Sequence, residues 1–246
     1  MRTYRKNCGR YRRFRGRRLL LLLAVVCILA ALIPVVRRAE PPAPAADIQP
    51  QVLTDPTQPE APSGQAPVIV LDAGHGGKDP GSSCWGADEK DITLEIVEKA
   101  AQLLRHEGYE VLLTREDDTW VAKEDRPVFA SDHAADLFIS VHLNALEDDS
   151  VTHGIETYCN EAACGGSAAL AQAVQSHVVA ETGGKDRGVI TDSDFYVVHH
   201  AEVPSCLLEA GFLTAREEGA LLMDGAYQDK IAAGIVAAVK ELTQEV

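Results

Sequence analysis

The chain has 246 residues and 46% of them are hydrophobic, so it can bury at least one sizeable core and is not disordered as a whole. Residues 1–38 hold 11 of the 23 Lys and Arg residues and none of the 37 Asp and Glu residues. The other 208 residues therefore carry 12 basic against 37 acidic side chains, a net charge of −25. This acidic part repels a phosphate backbone, which argues against nucleic-acid binding.

The first segment of the chain is basic, and an apolar segment follows it. Residues 1–18 contain nine Arg and Lys residues, and the uncharged run 19–36 is 18 residues long. A helix needs about 17 to 25 residues to cross a bilayer, whereas the apolar core of a cleaved signal peptide is shorter. We therefore predict a cytoplasmic segment at 1–18 and a single-pass signal anchor at 19–36 in the cell membrane. The positive charges place the rest of the chain outside the cell. A cleaved secretion signal is the alternative, and it exports the domain too.

A linker and a single domain are predicted after the anchor. Eight of the twelve prolines lie between Ala39 and Pro67 and no apolar periodicity occurs there, so residues 37–67 are predicted to be an extended tether. The catalytic domain is predicted to span residues 68–246. Four cysteines fall in this domain, and Cys159 and Cys164 could pair in an exported protein, or all four could be free thiols.

Short apolar runs alternate with helical patterns along the domain. Each run predicts a strand, and the runs are Val68–Asp72, Glu110–Thr114, Leu137–His142, Ile155–Cys159, Phe195–His199 and Ser205–Ala210. Helices are predicted near Asp91–His106, Arg126–Ala134 and Ser167–Glu181, with two more at the end of the chain. This alternation predicts one α/β domain with a mostly parallel, roughly six-stranded mixed sheet that helices cover on both faces.

Three apolar runs end near a residue that can bind a metal or move a proton. These residues are His75, His142 and Glu209. Ligands bind at the carboxyl ends of strands in open α/β sheets, so we expect the three side chains to lie together. Glu89 follows the glycine-rich loop after His75. This loop could fold Glu89 back toward His75, or Glu89 could serve only as an acid near a helix N-terminus.

Five motifs in the domain resemble those of a known enzyme family. They are LDAGHGGKDPG, EKDITLEI, the Thr114-Arg115 pair, SVHLNA and PSCLLEAGFLT. In this order they are similar to the zinc-dependent N-acetylmuramoyl-L-alanine amidases of the third type, and the resemblance covers residues 68–246. It implies one zinc ion (Zn2+) per catalytic domain, with His75, Glu89 and His142 as metal ligands and Glu209 as the catalytic acid.

The chemistry of these residue types agrees with what the resemblance implies. Two neutral imidazoles and one carboxylate leave zinc with a positive charge and an open position for water, as in catalytic sites. Glu209 would take a proton from that water and deliver it to the departing amine. Asp72 either orients His75 without binding the metal itself, or serves only as a turn residue at the end of the strand. Asn144 is a candidate for substrate binding, although it could instead bond its own backbone.

Two arginines are expected to stabilise loops through carboxylate pairs. These are Arg115 and Arg126. Substrate binding is the alternative for both, and of the two Arg115 is the candidate substrate-binding residue. The resemblance makes the substrate peptidoglycan, cut between N-acetylmuramic acid and L-alanine. An inactive peptidoglycan-binding module is a second hypothesis, and a zinc peptidase that acts on stem peptides is a third, although the chain has no HExxH motif.

The spacing of the motifs indicates a branch of the family. Only 66 residues separate His142 from Glu209, so the long autoinhibitory insertion of division amidases is absent there. We therefore predict no obligatory activator. The segments GIETYCN and FYVVHHAEVPSCLLEAGFLT resemble the spore-cortex amidases most, which implies a role in sporulation.

Overall fold

The computed structural model describes residues 66–244. The predicted cytoplasmic segment 1–18, the signal anchor 19–36 and nearly all of the linker 37–67 lie outside the described residues. Among the helices of residues 66–244, none combines the length and the apolar composition that a bilayer crossing requires.

Eight strands and six helices are formed between residues 66 and 244. The strands are β1 (Val68–Ala73), β2 (Ser83–Cys84), β3 (Ala87–Asp88), β4 (Glu110–Leu113), β5 (Leu137–Asn144), β6 (Ile155–Tyr158), β7 (Asp186–Ile190) and β8 (Ser205–Phe212). The helices are α1 (Glu89–His106), α2 (Asp125–Asp132), α3 (Ser167–Thr182), α4 (Tyr196–His199), α5 (Arg216–Leu222) and α6 (Gly225–Gln244).

Six of the strands form one mixed sheet in the order β4-β1-β5-β8-β6-β7. All neighbours are parallel except β6 and β8, which run antiparallel. Helical crossovers join most of the parallel strands, so the central strands β1, β5 and β8 are covered on both faces and are apolar almost throughout. The predicted α/β fold with a mostly parallel, six-stranded mixed sheet is confirmed.

The two faces of the sheet are covered unequally. Helices α1, α3 and α6 pack on one face and form the larger core with alternate strand residues such as Ile139 and Leu208. The other face carries only the short helices α2 and α4, which pack against Val70, Phe138 and Leu207. Helices therefore lie on both faces, as predicted, but the second face has a smaller cover.

One predicted strand is a helix, and one strand of the six-stranded sheet was not predicted; the short strands β2 and β3 were not predicted either. The run Phe195–His199 forms the single helical turn α4, in which the amide of His199 donates to the carbonyl of Phe195. The sixth strand of the sheet is instead β7 (Asp186–Ile190), an edge strand whose one partner among the strands of residues 66–244 is β6. Its sequence DRGVI has charged, exposed residues and no apolar alternation, which is common for edge strands.

The four cysteines of residues 66–244 are all free thiols. The structure does not form the pair Cys159–Cys164, so of the two alternatives the four free thiols are correct.

Candidate metal centre

His75, Glu89 and His142 meet at the carboxyl end of the sheet. One ligand atom from each side chain lies within 4.8 Å of the others. The Glu89 Oε1 atom is 3.1 Å from His75 Nε2 and 3.1 Å from His142 Nδ1. His75 lies in the turn after β1, His142 lies within β5, and Glu89 is the first residue of α1. The structure thus brings together three residues that are up to 67 positions apart in the chain.

Glu89 is held in this position by backbone amides. Its Oε2 accepts a hydrogen bond of 2.9 Å from the amide of Ser82, and its Oε1 accepts one of 2.9 Å from the amide of Leu143. Burial raises the pKa of Glu89, but the hydrogen bonds and charges of His142 and His75 outweigh that effect and hold it far below its ordinary value. Glu89 is therefore an ionised carboxylate that faces the two imidazoles.

Two neighbours of His75 determine how its ring is placed: Gly74, which precedes it, and the carboxylate of Asp79. A Cβ atom at Gly74 would lie 2.5 Å from His142 Cε1, so only glycine allows β1 and the His142 ring to approach this closely. His75 itself has a φ of +58°. Its Nδ1 is 3.0 Å from Asp79 Oδ2, which leaves Nε2 directed toward Glu89. Asp79 is a contact that the sequence analysis missed.

Asp72 supports the same turn through an arginine and does not touch the His75 ring. The Arg126 Nη1 atom donates to Asp72 Oδ1 at 2.6 Å, and Arg126 Nη2 donates to the backbone carbonyl of His75 at 2.8 Å. Ser140 donates to Asp72 Oδ2. Burial raises the pKa of Asp72, but Arg126 and these hydrogen bonds outweigh it and hold the pKa below its ordinary value. The contact of Asp72 with His75 is thus indirect, and runs through Arg126 to the backbone.

We expect the change Arg126→Met to lower the free energy of unfolding by about 3–5 kcal/mol, because it leaves the buried Asp72 carboxylate without its charge partner. Urea unfolding measures this difference. The matched control is Lys99→Met, which breaks an exposed ion pair with Asp229 and should cost at most about 1 kcal/mol. An equal and small loss in both variants would show that the buried pair does not stabilise the turn.

Arg115 is buried, with 4% of its surface exposed, and its guanidinium donates to backbone carbonyls. The acceptors are the carbonyls of Ala73, Gly74, Lys90 and Asp117. Arg115 therefore stabilises loops as expected, but through carbonyls and not through a carboxylate pair. It does not line the clefts beside His75, so its position does not support substrate binding.

Glu209 lies beside the candidate metal ligands on the same face of the sheet. It pairs in register with His142 across β5 and β8, and 8% of its surface is exposed. Its Oε2 is buried and has no hydrogen-bond partner among residues 66–244. Burial raises the pKa of Glu209 to about 7, and the carboxylates of Glu89 and Glu156 add to the rise against the opposing charge of His142. Such a group can hold or release a proton near neutral pH.

Asn144 belongs to a polar cluster next to Glu209. Its Nδ2 donates to Glu156 Oε2 at 3.0 Å, and its Oδ1 accepts from the amide of Ala145. Tyr158 and Arg187 also donate to the Glu156 carboxylate. The sequence analysis quoted GIETYCN without a role for Glu156. The alternation of side chains along β6 could have indicated a role for Glu156, because it places Glu156 opposite Glu209 on the same face of the sheet.

Two adjoining clefts open around these residues, where the short helices leave the sheet uncovered. One has a volume of about 420 Å³ and the other of about 450 Å³. Both are lined by His75, Asp79, His142, Phe195 and Leu207, so they meet at the imidazoles. Glu89, Asn144 and Glu209 line only the second cleft.

The three converging side chains fit a zinc ion. Two imidazole nitrogens and one carboxylate oxygen are a ligand set of catalytic zinc sites, which keep a further position open. Both imidazoles are partly exposed to the clefts, so that position would face solvent and substrate. The hydrogen bond that His75 Nδ1 donates to Asp79 is the support that metal-binding histidines usually have.

Comparisons with known proteins show the family of the chain. The profile of the N-acetylmuramoyl-L-alanine amidase family matches residues 69–241. In Bacillus subtilis (strain 168), the uncharacterized protein YqiI is 39% identical over 69% of this chain and 81% of its own length. The N-acetylmuramoyl-L-alanine amidase LytC of that strain is 36% identical over 68% of this chain, which spans only 34% of LytC. The crystal structure of N-acetylmuramoyl-L-alanine amidase from Clostridium difficile 630 has a TM-score of 0.70 and 36% identity, over 73% of this chain and 97% of that one.

Proposed function

The chain belongs to the N-acetylmuramoyl-L-alanine amidase family, and from this premise we propose that it is a zinc-dependent hydrolase of peptidoglycan. It cuts the amide bond between N-acetylmuramic acid and L-alanine of the stem peptide. His75, Glu89 and His142 hold the zinc ion, and Glu209 moves the proton. The observation that carries the proposal is that these three ligands and an unpartnered buried carboxylate face one cleft.

Each residue of the site has a separate task in this reaction. When bound by His75, Glu89 and His142, a zinc ion would lower the pKa of water from about 15.7 to about 7 and would polarise the amide carbonyl. Asp79 accepts a hydrogen bond from His75 Nδ1, which fixes the tautomer that leaves Nε2 free as a ligand atom. The Glu209 carboxylate, which lines the cleft, accepts a proton from the attacking water and then donates it to the nitrogen of the leaving L-alanine.

The polar cluster around Glu156 keeps Glu209 apart from other hydrogen-bond donors. Asn144, Tyr158 and Arg187 all donate to Glu156, so none of them occupies the Glu209 carboxylate. Glu209 thus lines the second cleft, and its buried Oε2 has no competing protein donor among residues 66–244. A buried carboxylate in this state can exchange its proton with bound water and substrate.

Purified peptidoglycan tests this function against the other two hypotheses. We expect the full-length chain with zinc to release stem peptides with new L-alanine amino termini, which mass spectrometry identifies. Cleavage within the stem peptide would instead support a zinc peptidase. Binding without cleavage would support an inactive module, although all four predicted residues are present.

The proposal also states where the enzyme acts and that it needs no activator protein. We propose that residues 19–36 anchor the chain in the cell membrane, and that the tether 37–67 lets the domain reach the wall outside. The segment between His142 and Glu209 consists of β6, α3, β7, α4 and their loops. No long insertion lies there, so the chain with zinc should cleave without a partner protein.

A role in spore-cortex formation rests on the resemblance to the spore-cortex amidases, and loss of cortex amidase products in a deletion strain would test it.

A further inference from the structure

The two clefts that meet at His75 and His142 differ in their chemistry. We call the first the aromatic arm, and its own lining is Trp120, Val121, Lys123, Glu124, Arg126, Tyr196 and Val197. We call the second the acidic arm, and its own lining includes Ser82, Glu89, Leu143, Asn144 and Glu209. Phe195 lies where the two arms join. A substrate that reaches across the metal centre must therefore have one part in each arm.

The position of Glu209 sets the direction of that substrate. Hydrolysis of an amide leaves an acyl group on one side and an amine on the other, and the amine must receive a proton. Glu209 provides that proton in the proposed function, on which this inference rests, and Glu209 lines only the acidic arm. We propose that the stem peptide leaves along the acidic arm and that the pyranose ring of N-acetylmuramic acid binds in the aromatic arm.

The side chains of the aromatic arm suit a sugar ring. Trp120 and Phe195 are each 44% exposed, and Lys78 Nζ lies 3.7 Å from the centre of the Trp120 ring. A pyranose ring has an apolar C–H face that packs on aromatic rings, and polar edges that need hydrogen-bond donors. Lys123 lies in the arm, with its Nζ 5.4 Å from the ring centre of Tyr196, and can donate to the acetamido or hydroxyl oxygens.

Trp120 is held against the turn that carries His75. A Cβ atom at Gly76 would lie 2.2 Å from the carbonyl oxygen of Thr119, and one at Gly77 would lie 2.9 Å from the amide nitrogen of Trp120. Only glycines allow the two loops to touch in this way. Asp118 accepts a hydrogen bond of 2.7 Å from the amide of Gly77. The backbone at Trp120 is thus held close to the turn that carries His75.

Two further contacts hold the walls of the arm. Arg126 Nη2 donates to the carbonyls of both His75 and Val121, which joins the loop after Trp120 to the metal centre. On the opposite wall, the Phe195 ring packs edge-on against Tyr158, with 4.9 Å between ring centres. A subsite formed before the ligand arrives loses little conformational entropy on binding, so stacking there contributes fully to affinity.

Two substrates that differ only in the sugar test this assignment. One is the disaccharide GlcNAc-MurNAc with its tetrapeptide, and the other is the same tetrapeptide with only a D-lactoyl group on L-alanine. For the full-length chain, Trp120→Ala should lower kcat/KM on the disaccharide substrate about tenfold, because one aromatic stacking contact is lost. On the lactoyl substrate the loss should stay below about twofold.

The matched control is Trp85→Ala. Trp85 is 50% exposed but lines neither arm, and the chain has only two tryptophans. This variant should keep the wild-type ratio of the two kcat/KM values. An equal loss on both substrates with Trp120→Ala would overturn the assignment, and a larger loss on the lactoyl substrate would reverse the direction. A wild-type chain that cleaves neither substrate would contradict the proposed function itself.

A binding measurement does not depend on turnover. In Trp85→Phe, Trp120 is the only indole, so its fluorescence reports on the aromatic arm alone. We expect the free disaccharide GlcNAc-MurNAc to shift or quench this fluorescence in a saturable way, and the free tetrapeptide to leave it unchanged. A saturable response to the tetrapeptide alone would overturn the assignment even if the enzyme proves inactive.

Discussion

Glutamine in place of Glu209 is expected to lower kcat by about 10²–10⁴-fold, while the chain keeps one zinc ion. Glutamine has nearly the same size and fits the buried position on β8, but it cannot accept the proton of water or pass it to the leaving amine. The Oε2 atom has no protein donor among residues 66–244, so the change breaks no hydrogen bond at that atom. The loss should therefore appear in the chemical step and not in folding.

The measurement combines kcat on the disaccharide tetrapeptide with the zinc content of the dialysed protein. The matched control is Glu98→Gln, the same chemical change at an exposed position of α1 that should leave both values unchanged. Loss of zinc together with activity in Glu209→Gln would make Glu209 a fourth metal ligand. Retained activity would remove Glu209 from the reaction.

The sequence predicted the residues that regular strands position. His142 and Glu209 lie on neighbouring parallel strands, and His75 follows a third, so their convergence requires only that the carboxyl ends of such strands share one edge. The sequence rule did not extend to Glu89. Its approach to His75 depends on the loop at residues 76–88, where Gly76, Gly77, Gly81 and Gly86 all have positive φ.

The supporting contacts could not be predicted for a related reason. Asp79 reaches His75 across a turn of four residues, and Arg187 reaches Glu156 from the edge strand β7. Side chains in such contacts are placed by loop geometry and by the register of an edge strand. Neither has an apolar period that a sequence reveals. Arg115 is the opposite case, a residue for which the sequence suggested a role that its position does not support. Its motif made it a candidate for substrate binding, but the fold buries its guanidinium against backbone carbonyls.

The helix α4 illustrates the limit of apolar runs as signals. Phe195–His199 has the composition of a strand, but a run of five residues fits one helical turn equally well. Its outcome matters for the site, because a helical turn directs Phe195 and Tyr196 into the clefts and Val198 into the core. A strand in this position would have sent alternate residues to opposite faces and would have left the aromatic arm without one wall.

His75→Ala is expected to abolish activity and to weaken zinc binding by about 10²–10³-fold. Structural zinc sites with four ligands bind with about 10–16 kcal/mol, so one ligand contributes about 3–4 kcal/mol. Glu89 and His142 would remain 3.1 Å apart, but two ligands do not form a stable site. Zinc content after dialysis and titration with a zinc-sensitive dye measure the loss. The control His177→Ala removes a surface histidine paired with Glu241, and should keep both zinc and activity.

The variant Asp79→Asn tests whether Asp79 supports His75 as a metal ligand or only lines the cleft. This change keeps His75 Nε2 but weakens the acceptor at Nδ1, and supporting contacts of this kind are worth about 10- to 100-fold in metal affinity or activity. Zinc affinity should therefore fall in the order wild type, Asp79→Asn, His75→Ala. Full zinc occupancy in His75→Ala would contradict the assignment of His75. If zinc affinity were unchanged in Asp79→Asn but lost in His75→Ala, His75 would be a ligand whose tautomer is set without Asp79.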